Sequence, residues 1–575
     1  MLGSSFAICS ILIICFTSFI IAKPNAQETQ QNLTQESEII LATSIIDTLK
    51  VSIPKIMEKD SIPGVSVAVV NDKEILWISS YGFTDKTKKR QITNQTVFSI
   101  QSMSKNFTAL AVLMAVQDGL LDLDASIKKY LPEFTVHSQY EDHPENKITL
   151  RHLLSHCAGF THEAPIGSNF DNNPHTFQEH IESISDTWLR YPVGYHFAYA
   201  NLGIDLAGYI LQKQSGIPFE RYLEEKVLLP LGMKWSTFDI LRIKKNMNRA
   251  IGHMADVDSL PVYIPMIPAG GLYTNAHEMA NYLRFHINKG LFEGQRLIKK
   301  DILDEMYSVS FPLLNQEHGY GFGLWKQMIG NTYQYYHGGA GYGFISGMII
   351  YSELKLGVVV LTNSEDHDLT VFSVRMMIEP IIRSLYGQEQ PVPVSITEQE
   401  SDTLPTHDPR IKHILGRYGH GVDCRVFEIK NNVLGISIGD EFYPAKVFLR
   451  NDDLVGKFGN YSEFMFLTNL DGNPGTLVIK NRWMDTCHFF DYNEGPNDRP
   501  GPAKSEWNKY LGQYQMFYYG HAMGPFTISI KNGYLYFDDQ RCLEFEPGLF
   551  FVYDGATLDF RTETPKGSNI KLFKK

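Results

Sequence analysis

The stretch FSIQSMSKNFTALAVLMAVQDGLL (98–121) is the most informative part of the chain for predicting its fold. Its centre is apolar, is rich in good helix formers and has no Gly or Pro before Gly119, so it predicts a largely buried helix. Ser102 and Lys105 lie three residues apart, and on a helix this spacing puts both side chains on one face. A serine hydroxyl is a weak nucleophile until a neighbouring base accepts its proton. Because burying a lysine in an apolar helix is costly, the pattern favours Lys105 as that neighbour.

A second candidate group is Tyr199-Ala-Asn201, which stands just before another apolar, helix-like segment. A phenol ordinarily has a pKa of about 10, and close contact with a cationic lysine would lower that pKa enough for the phenolate to act as a base. Asn201 would then bind a substrate amide or the Lys105 side chain. The alternative interpretation is a core tyrosine followed by an asparagine that caps a helix.

A third group is His337-Gly-Gly339, which ends the strand-like run YQYYH and leads into AGYGFISGMII. Glycines here would let a substrate backbone lie close along a strand edge, and the backbone N–H of Ala340 could donate to an oxyanion. The run GGAGYG also resembles a dinucleotide-binding loop, but a predicted strand follows it where that motif requires a helix. The alternative for His337 is a histidine hydrogen-bonded in a turn.

Length, charge and the N-terminal residues limit the classes of protein. The chain has 575 residues, which predicts two or three domains, and its formal net charge of -12 argues against a nucleic-acid binder. An apolar run from Phe6 to Ala22 predicts a signal peptide over 1–22 and a secreted protein, periplasmic if the source is bacterial. The alternative is an uncleaved membrane anchor. Since no later segment is of this kind, we expect no stable membrane insertion after cleavage.

Composition changes at residues 388–410, which are rich in Pro, Glu, Ser and Thr and predict a linker. Beyond it, 411–575 consists of short strand-like runs divided by Asn, Asp and Gly, so we expect an all-β antiparallel, barrel-like region. A weak repeat pairs Leu415-Gly-Arg-Tyr418 with Leu511-Gly-Gln-Tyr514, each followed by a strand and a tight turn. Two β-units, or one barrel built from both, fit this pattern.

Other side chains that could carry chemistry are scattered. Four cysteines remain after signal cleavage, and they predict either one disulfide in the C-terminal third or isolated buried thiols: Cys157, Cys424, Cys487 and Cys542. Four Asn-x-Ser/Thr sequons predict a glycoprotein if the host glycosylates: Asn32, Asn94, Asn106 and Asn460. The cluster Glu365–Asp368 could bind a cation, although a solvated loop is favoured. With neither a His-Glu-x-x-His helix nor a phosphate-binding loop, we predict no metal and no cofactor.

The three groups and their flanks together resemble the serine β-lactamase and penicillin-binding-protein superfamily, most closely its class C branch with related esterases and D-amino-acid peptidases. The resemblance covers roughly residues 40 to 385, in the order typical of the family. Its motifs, besides the helix quoted first, are IPGVSVAVV (62–70), ITLRHLLSHCAGF (148–160), PVGYHFAYANLGIDLAGYIL (192–211), PLGM (230–233), PAGGLYTNAHEMA (268–280), YGFGLW (320–325) and HGGAGYGFISG (337–347).

The resemblance implies an α/β (α+β) domain over 36–387, with an antiparallel sheet flanked by helices and a helical lobe, and with the active site between them. It assigns chemical roles to three residues: Ser102 is the acylated nucleophile, Lys105 is its activator, and Tyr199 is the general base and leaving-group acid. It makes Asn201 a substrate contact and His337 the third-motif residue. Gly339 and Ala340 form the strand edge, where the backbone N–H groups of Ala340 and Ser102 make the oxyanion hole. The C-terminal strands are similar to a lipocalin-like module found in some relatives.

The function that follows is hydrolysis of an ester or amide through an acyl-enzyme. His337 stands where β-lactamases usually carry lysine, and a histidine is a weaker positive charge at neutral pH, so a D-amino-acid peptidase or carboxylic esterase is favoured over a true β-lactamase. We expect a small-molecule or peptide substrate and no nucleic acid, with a protein partner at the C-terminal β-region as a further interpretation. The alternative function is a non-catalytic extracellular structural, matrix or binding protein that retains the fold.

Overall fold

The computed structural model describes residues 35–575, except 139–140, 168–174, 191–192, 195–196, 255–259, 261, 263, 309–318, 366, 386–402, 419–424, 439–440, 451–452, 459–461, 469–473, 482–485, 492–503, 519–520, 532–533, 539, 553–556 and 568–569. The predicted signal peptide (1–22) and residues 388–402 of the predicted linker (388–410) lie outside the described residues, and a helix begins at Pro409 within the described end of that linker.

The first two thirds of the chain mix helices and strands. The helices are α1 (Gln35–Lys59), α2 (Ser104–Gln117), α3 (Leu150–Leu154), α4 (Phe177–Ser183), α5 (Asn201–Ser215), α6 (Phe219–Leu223), α7 (Ile240–Lys245), α8 (Ile267–Gly270), α9 (Ala276–Ile287), α10 (Lys300–Tyr307) and α11 (Val371–Leu385). The strands are β1 (Gly64–Val70), β2 (Ile75–Gly82), β3 (Phe98–Ser99), β4 (Tyr273–Thr274), β5 (Leu291–Phe292), β6 (Gln295–Arg296), β7 (Gly319–Tyr320), β8 (Trp325–Ile329), β9 (Thr332–Gly341), β10 (Phe344–Tyr351) and β11 (Leu356–Thr362).

Seven of these strands form one antiparallel sheet in the order β2-β1-β11-β10-β9-β8-β7. The inner strands are buried on both faces, which explains their near-continuous apolar sequences, such as GVSVAVV and LGVVVLT. Alternate side chains of one strand enter different cores: Val67 and Val69 pack with α1 and α11, while Ala68 and Val70 pack with the core that contains α2, α5 and α9. The sheet therefore separates a layer of two helices from the helical lobe, as the α/β prediction requires.

The C-terminal third is all-β after one short helix, α12 (Pro409–Ile414). An eight-stranded antiparallel sheet comprises β12 (Gly416–Tyr418), β13 (Arg425–Lys430), β14 (Val433–Ile438), β15 (Glu441–Arg450), β16 (Asp453–Phe458), β17 (Ser462–Thr468), β18 (Pro474–Asn481) and β19 (Thr486–Asp491). A second set comprises β20 (Gly512–Tyr518), β21 (His521–Lys531), β22 (Tyr534–Phe537), β23 (Gln540–Glu546), β24 (Leu549–Val552), β25 (Thr557–Asp559), β26 (Lys566–Gly567) and β27 (Ile570–Lys574). Because β20 also pairs with β27, this second set closes into a ring.

The sequence repeat marks equivalent entries into these two sets of strands. Tyr418 and Tyr514 are buried in separate cores, and each tyrosine hydroxyl donates to the backbone carbonyl four residues earlier, at 2.9 and 2.7 Å. A short helical segment precedes each, and the glycine two residues before each tyrosine has a φ of 148° or 140°. The Gly-x-Tyr motif is therefore a local device that turns the chain from a helical segment into the first strand.

Several smaller expectations are also decided by the fold. Cys157 and Cys542 are buried thiols, and burial raises the pKa of Cys157 to about 11. The sequon prediction at Asn106 is wrong for that site, because its fully buried side-chain amide donates to Gly323 O and accepts from the Tyr282 hydroxyl. Among the described residues, no helix is long and apolar enough to cross a membrane.

We expect Leu361→Ala to lower the free energy of unfolding by about 2 to 5 kcal/mol, because it leaves a cavity at a fully buried position of β11. Val51→Ala, at a side chain of α1 that is 56% exposed, is the matched control and should change it by less than about 0.5 kcal/mol. Urea unfolding followed by tryptophan fluorescence measures both. Equal losses in the two variants would contradict the assignment of β11 to the centre of the core.

Candidate active site

The predicted nucleophile lies in a tight turn immediately before α2. The prediction of one continuous helix through Ser102 is wrong in detail, since Gln101–Met103 form a 3-10 turn and the α-helix begins at Ser104. Gln101 has a φ of +47°, which is unusual for a residue with a side chain, and it hydrogen-bonds the Ser99 hydroxyl. Ser102 itself is half-buried. The turn thus presents the serine hydroxyl at the end of a helix whose remaining length is almost entirely buried.

Lys105 brings its amine directly to this hydroxyl. Its side chain is 0% exposed, and Nζ lies 2.9 Å from Ser102 Oγ and 3.0 Å from the carbonyl oxygen of Ala269. A buried amine is held here by two neutral oxygens, one of which belongs to the candidate nucleophile. The predicted pairing of Ser102 with Lys105 is present in the structure, and it is close enough for a proton to pass between the two groups.

Tyr199 stands over the amine, with its ring centroid 5.0 Å from Lys105 Nζ. The tyrosine is half-buried and is surrounded by imidazoles. Its ring lies 4.4 Å from that of His156, 5.6 Å from that of His162 and 6.3 Å from that of His337, measured between centroids. The phenol therefore shares one site with Ser102 and Lys105, although it reaches them from a different stretch of chain.

His337 lies in the same cluster, and both of its ring nitrogens are hydrogen-bonded. Nδ1 lies 2.6 Å from the Gly338 carbonyl, which can only accept, so Nδ1 carries the proton. Nε2 then accepts from the Tyr320 hydroxyl at 3.0 Å. Burial and the charge of Lys105 lower the pKa of His337 to about 3. Near neutral pH the imidazole is therefore uncharged, which goes further in the direction of the expected weaker positive charge.

The strand that carries His337 continues along the nucleophile turn. Pairing between β8 and β9 covers Thr332 to Tyr336, and beyond it β9 lies against the turn. A Cβ at Gly339 would come within 2.1 Å of Ile100 O, so only glycine permits this approach, and the Ser346 hydroxyl donates to the same Ile100 carbonyl at 2.8 Å. Ala340 follows as an exposed residue at the edge. The predicted strand edge is thus beside Ser102.

Asn201 is at the site but is held differently from either expectation. It is the first residue of α5 rather than the helix cap, which is Ala200, and its Nδ2 donates to Glu163 Oε1 at 2.7 Å. Its buried Oδ1 has no hydrogen-bond partner among the residues that the structure describes. Burial opposes ionisation of Glu163, but His162 and Asn201 outweigh it and lower the pKa of Glu163. A carboxylate therefore fixes the amide of Asn201 and leaves Oδ1 as an acceptor.

Sequence reasoning passed over several members of the cluster. The ring of His156, a residue of the motif ITLRHLLSHCAGF, is in contact with Tyr199. Its Nδ1 accepts the Ala200 N–H, so Nε2 carries the proton, and Nε2 is buried with no partner among the described residues. Tyr320 was quoted only as part of YGFGLW. Both residues lie inside motifs of the resemblance, and this was the sequence feature that could have identified them. The position of each residue in the sequence did not indicate contact with Tyr199.

The Glu365–Asp368 loop serves structural contacts in the described part of the chain. Glu365 accepts the backbone N–H of Gly343 at 3.1 Å, His367 hydrogen-bonds Thr362 at 2.8 Å, and Asp368 pairs with Lys59 at 2.9 Å. Asp366 lies outside the described residues. Within the described ranges no three His, Cys, Asp or Glu side chains are grouped as a metal site would require.

This fold, with a serine and a buried lysine in hydrogen-bond contact at the start of a helix, defines a penicillin-recognising type of serine site. The beta-lactamase family model matches residues 52–371, which is more than half of the chain, so the protein belongs to the beta-lactamase family and to the superfamily that includes penicillin-binding proteins.

Relatives and solved structures agree with this membership. The chain is 26% identical to Beta-lactamase-like protein 2 of Dictyostelium discoideum over 69% of this chain and 73% of that protein. It is 25% identical to Protein flp of Staphylococcus aureus strain MW2, over 53% of this chain and 61% of flp. The crystal structure of SurE matches with a TM-score of 0.55 and 19% identity, covering 79% of this chain and all of SurE, which supports the fold alone.

We expect His337 to make the protein less stable in acid. The unfolded chain takes up a proton at His337 below its ordinary pKa of 6.5, whereas the folded protein does so only near pH 3. Between pH 7 and pH 5 the unfolded state therefore binds more protons than the folded state. As the pH falls from 7 to 5, His337 thereby lowers the free energy of unfolding by about 2 kcal/mol. Urea unfolding at pH 5, 6 and 7 should show a correspondingly smaller decrease for His337→Gln. An identical pH dependence in variant and wild type would refute the buried neutral imidazole.

Proposed function

We propose that this protein is a secreted serine hydrolase that cleaves an ester or amide through an acyl-enzyme formed on Ser102. The observation that carries the proposal is the hydrogen bond of 2.9 Å between the fully buried Lys105 amine and the Ser102 hydroxyl. A buried lysine is costly unless it is used, and contact with a serine hydroxyl is the use that chemistry gives it. Beta-lactamase family membership supports a hydrolase of this type.

The reaction would proceed in two balanced steps. Ser102 Oγ attacks the carbonyl carbon while its proton passes to Lys105, directly or through the Tyr199 hydroxyl; the bond to the leaving group then breaks, and that group takes the proton. Water next attacks the acyl-enzyme, giving its proton to the same base, and the serine regains its hydrogen as the acid departs. The resemblance assigns the oxyanion to the backbone N–H groups of Ser102 and Ala340.

The state of His337 favours esters and peptides over β-lactams. A substrate carboxylate at the third-motif position needs a cation or a free donor, and His337 offers neither, because its ring is neutral and both of its nitrogens are already hydrogen-bonded. Substrates that place a neutral group beside β9 suit this site better. We therefore infer a carboxylic ester or a D-amino-acid peptide derivative as the substrate.

An apolar pocket beside the nucleophile turn suits a hydrophobic acyl group. Its cavity volume is about 180 Å³, which is room for an acyl chain but less than the volume of a site for a drug-sized ligand. Gln101, which precedes Ser102, and Tyr342, which follows the β9 edge, line the side nearest the nucleophile. Much of the remaining lining is apolar, including Phe238, Leu241, Ile243, Val262, Ile264 and Ile267.

We expect a fluorophosphonate probe to label the wild-type protein and to leave Ser102→Ala unlabelled, because the hydroxyl that forms the covalent bond is absent. Ser80→Ala, at a half-buried serine of β2 that hydrogen-bonds Ser66, is the control and should be labelled like the wild type. Intact-protein mass spectrometry measures the adduct. Absence of wild-type labelling throughout pH 5 to 9 would contradict the hydrolase and favour the non-catalytic binding or structural function.

A substrate panel then separates the classes: short-chain nitrophenyl esters, D-alanyl peptides with an amidated C-terminus, and a chromogenic cephalosporin. We expect turnover of esters or D-peptides to exceed that of the cephalosporin, since His337 supplies no charge for a carboxylate. Faster turnover of the cephalosporin would show that the neutral ring does not disfavour β-lactams.

We expect Leu241→Asp to reduce the preference for a long acyl chain. The side chain is 63% exposed at the pocket, so a charge there should not affect folding, but it should weaken contact with an apolar chain by about 1 kcal/mol, or about fivefold in kcat/KM. The measurement is the ratio of kcat/KM for nitrophenyl octanoate to that for the acetate. Leu241→Met keeps the apolar surface and should keep the ratio; an unchanged ratio in Leu241→Asp would place the acyl chain elsewhere.

A further inference from the structure

A second buried pair of titratable side chains lies behind the lysine. His180 of α4 and Asp205 of α5 are both 0% exposed, and His180 Nε2 is 3.0 Å from Asp205 Oδ2. The other ring nitrogen, Nδ1, donates to the Ile166 carbonyl at 2.7 Å. The second carboxylate oxygen, Oδ1, accepts the backbone N–H of Ala269 at 2.9 Å. All four polar atoms of the pair are therefore engaged, and two of the contacts lead out of the pair, one from His180 to Ile166 and one from Asp205 to Ala269.

The contact from Asp205 ends on Ala269, whose carbonyl accepts a hydrogen bond from the Lys105 amine. Asp205 holds Ala269 by its N–H, and the carbonyl of Ala269 lies 3.0 Å from Lys105 Nζ. The surrounding segment, α8 and the residues after it, is fixed to α2 by two more hydrogen bonds: the Thr108 hydroxyl donates to Pro268 O at 2.7 Å, and Leu272 N donates to Ser104 Oγ at 3.0 Å. The Ala269 carbonyl, which accepts a hydrogen bond from Lys105, is thus held in place by α2 on one side and by α5 on the other.

Helix packing forces Asp205 into this place. A Cβ at Gly208, three residues further along α5, would lie 2.4 Å from Pro268 Cγ, so α5 and α8 touch at a glycine. Asp205 is on the same face of α5 one turn earlier. The side chain cannot reach water from there, and replacement by an apolar residue would leave the Ala269 N–H without its acceptor.

The pair carries a negative charge on the side that faces the lysine. Burial alone would lower the pKa of His180, but the hydrogen bond and charge of Asp205 outweigh it and raise that pKa. Burial raises the pKa of Asp205, while His180, the Ala269 N–H and Lys105 oppose the rise. With Nδ1 donating to a carbonyl, a charged ring donates from Nε2 as well, which leaves Asp205 as the carboxylate. Buried ion pairs add little to stability, so a role in the site accounts better for their presence.

We propose that Asp205, hydrogen-bonded to His180, is a positioning residue that holds the Ala269 carbonyl against Lys105 and sets the pH dependence of acylation at Ser102. This inference rests on the proposed hydrolase function and deepens it. Asp205 touches neither the nucleophile nor the substrate-facing edge, and acts through the backbone of Ala269 and through its charge.

Other titratable groups also lie near Lys105, but Asp205 is the group whose charge the experiment changes. His156 and His337 interact with Lys105, but burial and the Lys105 charge keep their pKa values low, so both are neutral in the assay range. Glu163 interacts with His180 and is paired with His162 and Asn201. Asp205→Asn removes the charges of Asp205 and of its partner His180, while the hydrogen bonds of His156, His337 and Glu163 within the site are kept.

The test is the pH dependence of Ser102 phosphonylation in the full-length chain with Asp205→Asn. Asparagine keeps the shape, since its Oδ1 can accept the Ala269 N–H and its Nδ2 can donate to a neutral His180. Loss of the negative charge removes a stabilisation of the protonated site, so the midpoint of the labelling rate should move to lower pH by about one unit. The KM for an ester substrate should change less than about twofold, because the edge that binds substrate is untouched.

Thr108→Val is the control, since it removes another hydrogen bond to the same segment without changing charge and should leave the midpoint unchanged. If Asp205→Asn does not unfold cooperatively, His180→Gln decides the question: a buried carboxyl without its imidazolium takes up a proton, so the midpoint again moves to lower pH.

A midpoint equal to that of the wild type in a folded, labelled Asp205→Asn protein overturns the positioning role and leaves the hydrolase intact. A midpoint moved equally by Thr108→Val also overturns it, since the effect would then be mechanical. A wild-type protein that takes no label at any pH fails the proposed function itself, and so the two failures are distinguishable.

Discussion

The hydrogen bond between the buried Lys105 amine and the Ser102 hydroxyl is the contact around which the described part of the catalytic region is arranged. An amine without water is stable only if nearby oxygens accept its hydrogens, and here one acceptor is the serine and the other is the Ala269 carbonyl. Both acceptors must be held in place. The 3-10 turn before α2 holds the first, and the segment pinned between α2 and α5 holds the second.

The same constraint explains why glycine is required where β9 passes the nucleophile. Gly339 brings the strand backbone against Ile100 O, and the Ser346 hydroxyl ties that carbonyl to β10. The seven-stranded sheet thus packs against the nucleophile turn through β9 and β10, while the helical lobe supplies Lys105 and Tyr199. Because the sheet and the lobe each contribute essential groups, the site exists only in the assembled fold. The His180–Asp205 pair does not touch the nucleophile itself. It holds Ala269, whose carbonyl accepts a hydrogen bond from Lys105.

Electrostatics in the cluster differ from what the residue types suggest. Several imidazoles surround Tyr199, and two of them, His156 and His337, are neutral because burial and the adjacent lysine disfavour a second positive charge. The third-motif position therefore carries no charge of its own. An arrangement of this kind suits neutral carbonyl substrates. The C-terminal region, by contrast, has its own cores and its own repeated Gly-x-Tyr entry, which reflects local chain geometry rather than the chemistry of the site.

Much of this could be predicted from the amino-acid sequence, and the remainder could not. Apolar runs such as GVSVAVV and LGVVVLT are typical of buried strands, and the spacing of Ser102 and Lys105 predicted their contact, because side-chain periodicity and neighbour relations along a helix are local properties. The neutral state of His337, the attachment of Asn201 to Glu163, and the line from His180 through Asp205 to Ala269 were decided only by tertiary structure. Each depends on which distant segments exclude water around a polar group, and no spacing within a single segment records that.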